Sequence, residues 1–162
     1  MALTPAQQTT LANAIKASTD PVVQTAYQIG DAVTLANWVN SASTTVVWKS
    51  FVPKAQVGKA FVATAIAAIT AGNNDKLSSY ALWNPEGVDP SRADTRAFFD
   101  DIFSVTAGAS TRAALLALWK RFATQAERLF VTGTGTDQTP ALLGWEGTLS
   151  VTEVSVALNN NP

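Results

Sequence analysis

The chain has 162 residues, no histidine and no cysteine, and only 14% of it is charged against 47% hydrophobic. Without histidine no side chain titrates near neutrality unperturbed, and without cysteine there is no thiolate nucleophile, disulfide or soft metal ligand. A net charge of −1 argues against a dedicated nucleic-acid binder, which carries a basic face.

Thr4-Pro5 opens the first helix, threonine as N-cap and proline at the first helical position. Leu11, Ala14 and Ile15 follow at helical spacing. Asp20-Pro21 repeats the device for a second helix through Val22, Val23, Ala26, Tyr27 and Ile29, closed by Gly30. Asp31 caps a third helix carrying Val33, Leu35, Ala36, Trp38 and Val39.

Thr44-Thr45-Val46-Val47-Trp48 is β-branched and aromatic, and a run this short fits strand or helix equally. Pro53 argues against a central strand, so 44–53 is expected to be extended or a single turn. An Ala-rich helix from about Lys54 to Thr70 follows, stopped by Gly72-Asn73-Asn74. A short helix over Lys76–Trp83 ends at Asn84-Pro85-Glu86-Gly87. Asp89-Pro90 starts the next, with Ala93, Phe98, Phe99, Ile102 and Phe103 inward and Arg96 placed to pair with Asp100.

Ser110 is expected to cap the longest helix, Thr111 to Phe130. Leu115, Leu118, Trp119, Phe122, Ala126, Leu129 and Phe130 form its apolar stripe, with Lys120, Arg121, Glu127 and Arg128 on the polar face. The segment 131–149 has no helical periodicity and is expected to be a long extended loop or arm. Ser150-Val151-Thr152-Glu153 is a capping box for a last helix, and 159–162 form a frayed tail. These elements predict an all-α fold: one domain over 1–162, a bundle of six to eight helices with one long arm near the C-terminus. No solenoid repeat is visible.

Chemistry-bearing patterns are sparse. Gly133-Thr134-Gly135 lacks the following lysine and helix of a phosphate loop, and reads as a turn or extended arm. Asp100-Asp101 are adjacent on a helix and point about 100° apart, which does not build a metal site. No glycine-flanked serine elbow is present. Catalytic, cofactor and metal residues are therefore all assigned as none, and no enzyme activity is expected. Lys120, Arg121 and Arg128 read either as a solvated helix face or as a contact for an acidic partner or the DNA backbone. Trp145, between Gly144 and Gly147, is either tucked onto the domain or an interface anchor.

No membrane association is expected. The weakly polar stretch Val57 to Ala71 contains Lys59 and falls short of the ~20 apolar residues of a span, and Met1–Pro5 has no leader-like character. Soluble domains average about 25% charged residues. The low charge here, with a mean hydropathy of +0.11, points to a surface covered by other subunits.

Several stretches resemble small proteins encoded among the head and neck genes of tailed bacteriophages. They are the opening Met-Ala-Leu-Thr-Pro-Ala-Gln, the Asp89–Asp94 helix start, Ala126–Phe130 running into Val131–Thr136, and Leu143–Ser150. The resemblance implies a head-to-tail connector: a small helical neck adaptor, commonly in twelve copies, forming a ring beneath the portal. It implies as partners other copies of the chain, the portal protein and a downstream head-closure or tail protein. DNA would pass through the lumen without sequence-specific binding. The location implied is the neck of the virion, after synthesis in the host cytoplasm. No catalytic residue is carried over.

The expected assembly interface is Thr132, Gly133, Thr134, Gly135, Thr136 and Trp145, with Lys120, Arg121 and Arg128 meeting a partner or DNA. The alternatives are a monomeric helical binding module or chaperone, and another virion position such as tail terminator or minor head protein.

Overall fold

A computed structural model describes residues 2–161. The chain divides into two compact units. One comprises the segments 1–47 and 122–162, the other Trp48–Arg121.

In the first unit, α1 (Pro5–Lys16), α2 (Pro21–Ile29) and α3 (Ala32–Asn40) begin where the caps stand. Thr4 forms a full capping box with Gln7, Asp20 accepts from the Val22 amide, and Asp31 accepts from Val33 and Thr34. Gly30 closes α2 at φ 72°, a left-handed position that disfavours any Cβ. The last helix, α9 (Val151–Asn159), starts in the Ser150–Glu153 capping box. α9 packs on both α1 and α3, so Leu11, Ile15, Leu35, Val39, Val154 and Ala157 share one core. After α9, Asn161 is held by Thr9 and by Lys16 Nζ, at 2.6 and 2.5 Å; Pro162 lies outside the described residues.

β1 (Ala42–Trp48) pairs with β4 (Lys120–Thr124). Within the first unit the Gln125 amide donates to Ser41 O at 2.9 Å, and Ser43 Oγ to Ala123 O at 2.9 Å. A 3-10 turn (Glu127–Phe130) leads into β5 (Val131–Thr132), antiparallel to β6 (Leu142–Leu143) with Val131 opposite Leu143.

In the second unit, β2 (Val52–Pro53) pairs antiparallel with β3 (Gly87–Val88). A Cβ on Gly87 would stand 2.3 Å from the Val52 carbonyl oxygen, so this pairing requires glycine. The helices are α4 (Lys54–Ala60), α5 (Ala63–Ala68), α6 (Ala71–Trp83), α7 (Ala93–Ile102) and α8 (Ala109–Trp119). They enclose Phe99, Ile102, Phe103, Leu115 and Trp119. Phe99 meets Tyr80, Phe98 and Trp119 edge to face at 5.4 Å, the arrangement that ring quadrupoles favour.

The all-α expectation is overturned. The fold is mixed: 58% helix, and 13% strand in three small antiparallel sheets, each of two strands. Among the described residues there are nine α-helices rather than six to eight. The main error is the helix expected over Thr111–Phe130. It begins at Ala109 behind Gly108, not at a Ser110 cap, and stops at Trp119. Lys120 turns to φ −102°, ψ 154°, because the β-branched run of β1 needs a partner strand. That tertiary demand overrides the helical periodicity. Phe122, assigned to the apolar stripe, is consequently exposed, whereas Ala123 is buried.

The helix expected over Lys54–Thr70 is two, broken at Phe61–Val62. The break lets Phe61 reach Phe103 at 5.5 Å, while the Val62 amide donates to Thr111 Oγ1 at 3.1 Å. Gly72-Asn73-Asn74 do not stop a helix. They lie in the first turn of α6, which Thr70 caps by accepting from the Asn73 amide. Asp89 makes a turn with Ser91 instead of a cap, and α7 starts at Ala93.

Candidate assembly surface

The 131–149 segment folds back on its own unit. The Val46 amide donates to Gly135 O at 2.8 Å, and the Ala141 amide to Val46 O at 2.9 Å. Val47 and Ala141 form a parallel bridge. Gly133 and Gly135 take φ values of 113° and 69°, conformations that glycine alone adopts cheaply. A Cβ on Gly135 would also fall 2.5 Å from Thr45 Cγ2. The tip is closed by threonine: Thr134 Oγ1 donates to Thr139 O at 3.0 Å, and Thr136 Oγ1 accepts from the Thr139 amide at 3.0 Å. The segment is thus an internally bonded loop along the open side of β1.

The sequence-assigned interface residues separate accordingly. Thr132, Gly133, Thr134 and Thr136 are exposed along this loop, whereas Gly135 is buried. Trp145 is only 3% exposed and sits in the core of the first unit. Its ring meets Phe130 at 6.1 Å and 73°. The close approach that seats it depends on Gly144, whose absent Cβ would lie 2.6 Å from Phe130 O.

Lys120 and Arg121 are half-buried on β4, where neighbouring side chains leave opposite faces of the strand. Arg128 is exposed on the following 3-10 turn. The three therefore do not share one helix face.

Glu127, assigned to a polar helix face, is 2% exposed. Its Oε2 accepts the Thr124 amide at 2.9 Å and its Oε1 the Gly147 amide at 3.3 Å, while Thr124 Oγ1 accepts the Glu127 amide at 3.1 Å. This reciprocal pair has the logic of a capping box. It ties the end of β4 to the loop that carries Trp145. The signal in the text was Thr-x-x-Glu at 124–127, hidden inside an apparent helix.

In the second unit Arg96 donates to the Pro90 and Ser91 carbonyls at 2.6 and 2.7 Å and lies 4.4 Å over the Trp48 ring. Those contacts take the guanidinium that the sequence assigned to Asp100. Asp101 pairs with Lys76 at 3.0 Å. Arg92 holds Asp94 through two oxygens, and this hydrogen-bonded cation draws the Asp94 pKa down to about 2. A small apolar cavity of about 120 Å³ lies between α4 and α6, lined by Val57, Phe61, Leu77, Tyr80 and Phe99 among others. Among the described residues no three His, Cys, Asp or Glu side chains gather as a metal site, and no helix is long and apolar enough to cross a membrane.

Large apolar side chains that face solvent are the feature the sequence reading missed. In the first unit Val22 and Ile29 stand two turns apart on α2, Ile29 at 73% exposure, and Val33 is exposed on α3. In the second unit α6 ends in Leu82 at 80% and Trp83 at 85% exposure. Helical spacing counts Ile29 among the apolar positions of the second helix without saying what covers it, because an apolar residue at a helix end reads alike whether it faces a core or a partner.

No family model, curated protein or solved structure matches the chain.

Proposed function

We propose that the chain is a non-catalytic structural subunit that works as a multimer. More specifically, it is the ring-forming adaptor beneath the portal in the neck of a tailed-phage virion. The observation that supports assembly is the exposure of Leu82 and Trp83 together, with Val22, Ile29 and Val33 on the other unit. Isolated surface apolar residues are ordinary, but exposed tryptophan is a frequent anchor of protein contacts. The low charge of the chain points the same way. The neck position rests on the likeness of the 1–7, 89–94, 126–136 and 143–150 segments to phage neck proteins.

Sizing of the purified chain, alone and mixed with the portal protein, tests this reading. A closed oligomer, or a complex that forms on the portal, is expected. A chain that stays monomeric at high concentration and ignores the portal overturns it.

A further inference from the structure

Among the described residues, α6 is the one α-helix that buries none of its side chains, while α4, α5, α7 and α8 each bury at least one. Its sequence is also a poor helix former. Gly72, Asn73, Asn74, Asp75, Ser78 and Ser79 all favour other backbone states over a helix interior. The apolar hold is Leu77 and Tyr80, both half-buried. Tyr80 stacks on Phe98 at 4.5 Å and meets Phe99 edge to face at 5.4 Å.

The polar ties of α6 to its neighbours are few. Lys76 pairs with Asp101 at 3.0 Å with both side chains more than half exposed, where solvent screening leaves little net worth. Asn73 Nδ2 donates to Ile102 O at 3.1 Å, and Lys54 Nζ to Ala81 O at 3.3 Å. The cavity of about 120 Å³ lies between α6 and a floor of Val57, Phe61, Val88 and Phe99. Atoms across such a void forgo the dispersion contacts that would hold the helix down. The chain is extended at Ile69 and Thr70 before the helix and leaves helical geometry at Asn84 after it. Beyond Asn84, Gly87 and Val88 are fixed by pairing with β2. Both flanks are therefore short hinges between anchored segments.

We propose that α6 is a lid: it opens about Thr70 and Asn84 while α4, α5, α7 and α8 keep their packing, and it uncovers the apolar floor of Val57, Phe61, Val88 and Phe99. Opening breaks only the contacts named above, so it requires far less free energy than unfolding the unit. The lid is a property of the second unit alone and holds whether or not the chain assembles.

The chain has no cysteine, so a single introduced thiol reports the opening. Val57→Cys places one on the floor, at a residue 5% exposed; Ala65→Cys places one on α5, at 0% exposed and outside the cavity lining. Reaction with an aromatic disulfide reagent is expected to be at least about 100-fold faster at position 57 than at position 65. At low urea the rate at 57 should barely change, because a local opening exposes little new surface. Gly72→Ala, Ser78→Ala and Ser79→Ala combined, all at exposed positions, raise helix propensity and are expected to slow the reaction at 57 about tenfold. Leu115→Ala, in the buried face of α8, weakens the whole core and should speed the reaction at 65 while leaving that at 57 unchanged. Hydrogen exchange on the unsubstituted chain needs no variant: amides 76–83 of α6 are expected to be at least about 100-fold less protected than amides 115–119 of α8. Equal rates and equal urea dependence at 57 and 65 overturn the lid. So does a rate at 57 that ignores the α6 substitutions or follows Leu115→Ala, or α6 amides as protected as those of α8.

Discussion

Asn40 grips Leu149 from both sides: its Nδ2 donates to the Leu149 carbonyl at 2.8 Å, and its Oδ1 accepts the Leu149 amide at 2.9 Å. A side-chain amide here does what a neighbouring strand would do, joining the end of α3 to residues 109 positions further along. It satisfies backbone groups just ahead of the Ser150 cap, where Leu149 is buried in the core.

Asn40→Ala leaves both Leu149 backbone groups without that partner. Removing one side of a buried hydrogen bond costs about 1–3 kcal/mol, and two bonds are lost here. The expected result is a loss of about 2–4 kcal/mol in urea unfolding. Asn40→Asp keeps an acceptor for the Leu149 amide but offers the carbonyl no donor, so it should fall between. If Asn40→Ala unfolds at the wild-type midpoint, the clasp contributes nothing.

Much of the first unit was legible in the text because its signals are local. Thr4, Asp20, Asp31 and Ser150 each bond amides two or three residues away, so sequence distance and spatial distance coincide. The strands were illegible for the opposite reason. Lys120–Thr124 reads as helix until Thr44–Val47 lies beside it, and that pairing joins segments more than 70 residues apart. The Glu127 contact to Gly147 was hidden by the same error. Within the expected interface, Thr134 and Thr136 are exposed but Trp145 is not, because nothing local distinguishes a loop tryptophan that folds inward on Phe130 from one that does not. Leu82 and Trp83 escaped notice because helical spacing marks apolar faces without saying what covers them.

Two glycines of the second unit should respond to alanine with opposite signs. At Gly87 the new Cβ meets the Val52 carbonyl oxygen at 2.3 Å and the Phe51 ring at 2.8 Å. Backbone must move, and the β2–β3 pairing with it; overpacking of this kind costs about 1–3 kcal/mol. At Gly58, inside α4, nothing lies within 4 Å of the new Cβ, so alanine should stabilise by about 0.5–1 kcal/mol through helix propensity. Thermal midpoints of the two variants, measured together, check both signs. A stabilised Gly87→Ala would contradict the β2–β3 register.

Trp119 is 1% exposed, yet its Nε1 meets no acceptor among the described residues. The ring's value is therefore its packing on Phe99 rather than its N–H. Trp119→Phe keeps an aromatic ring there and removes the unpaired donor, so the expected loss is below about 1.5 kcal/mol. Trp119→Ala opens a cavity and should cost about 3–5 kcal/mol. Equal losses in the two variants would show that the indole nitrogen is engaged after all.

Acid should loosen the first unit through its caps. The Asp31 pKa is lowered chiefly by the Thr34 hydroxyl, then by the Thr34 amide; the Glu153 pKa is lowered by the Ser150 amide and hydroxyl. A carboxylate whose pKa is depressed on folding contributes its full stabilisation above the unfolded value, about 3.9 for aspartate and 4.3 for glutamate. That contribution declines as pH falls through the folded value. The stability gap between the wild type and Asp31→Asn or Glu153→Gln should therefore hold constant from pH 7 to about 5 and close below about pH 4. Asp94 is the instructive contrast. Its pKa is down at about 2, but it and Arg92 are each more than 60% exposed, where solvent screening leaves an ion pair little net worth. Asp94→Asn should leave the unfolding midpoint almost unchanged at pH 7. Urea titrations of the three variants across pH 2–7 would decide it; a gap for Asp31→Asn that widens with acid would reverse the assignment of that carboxylate as a charged cap.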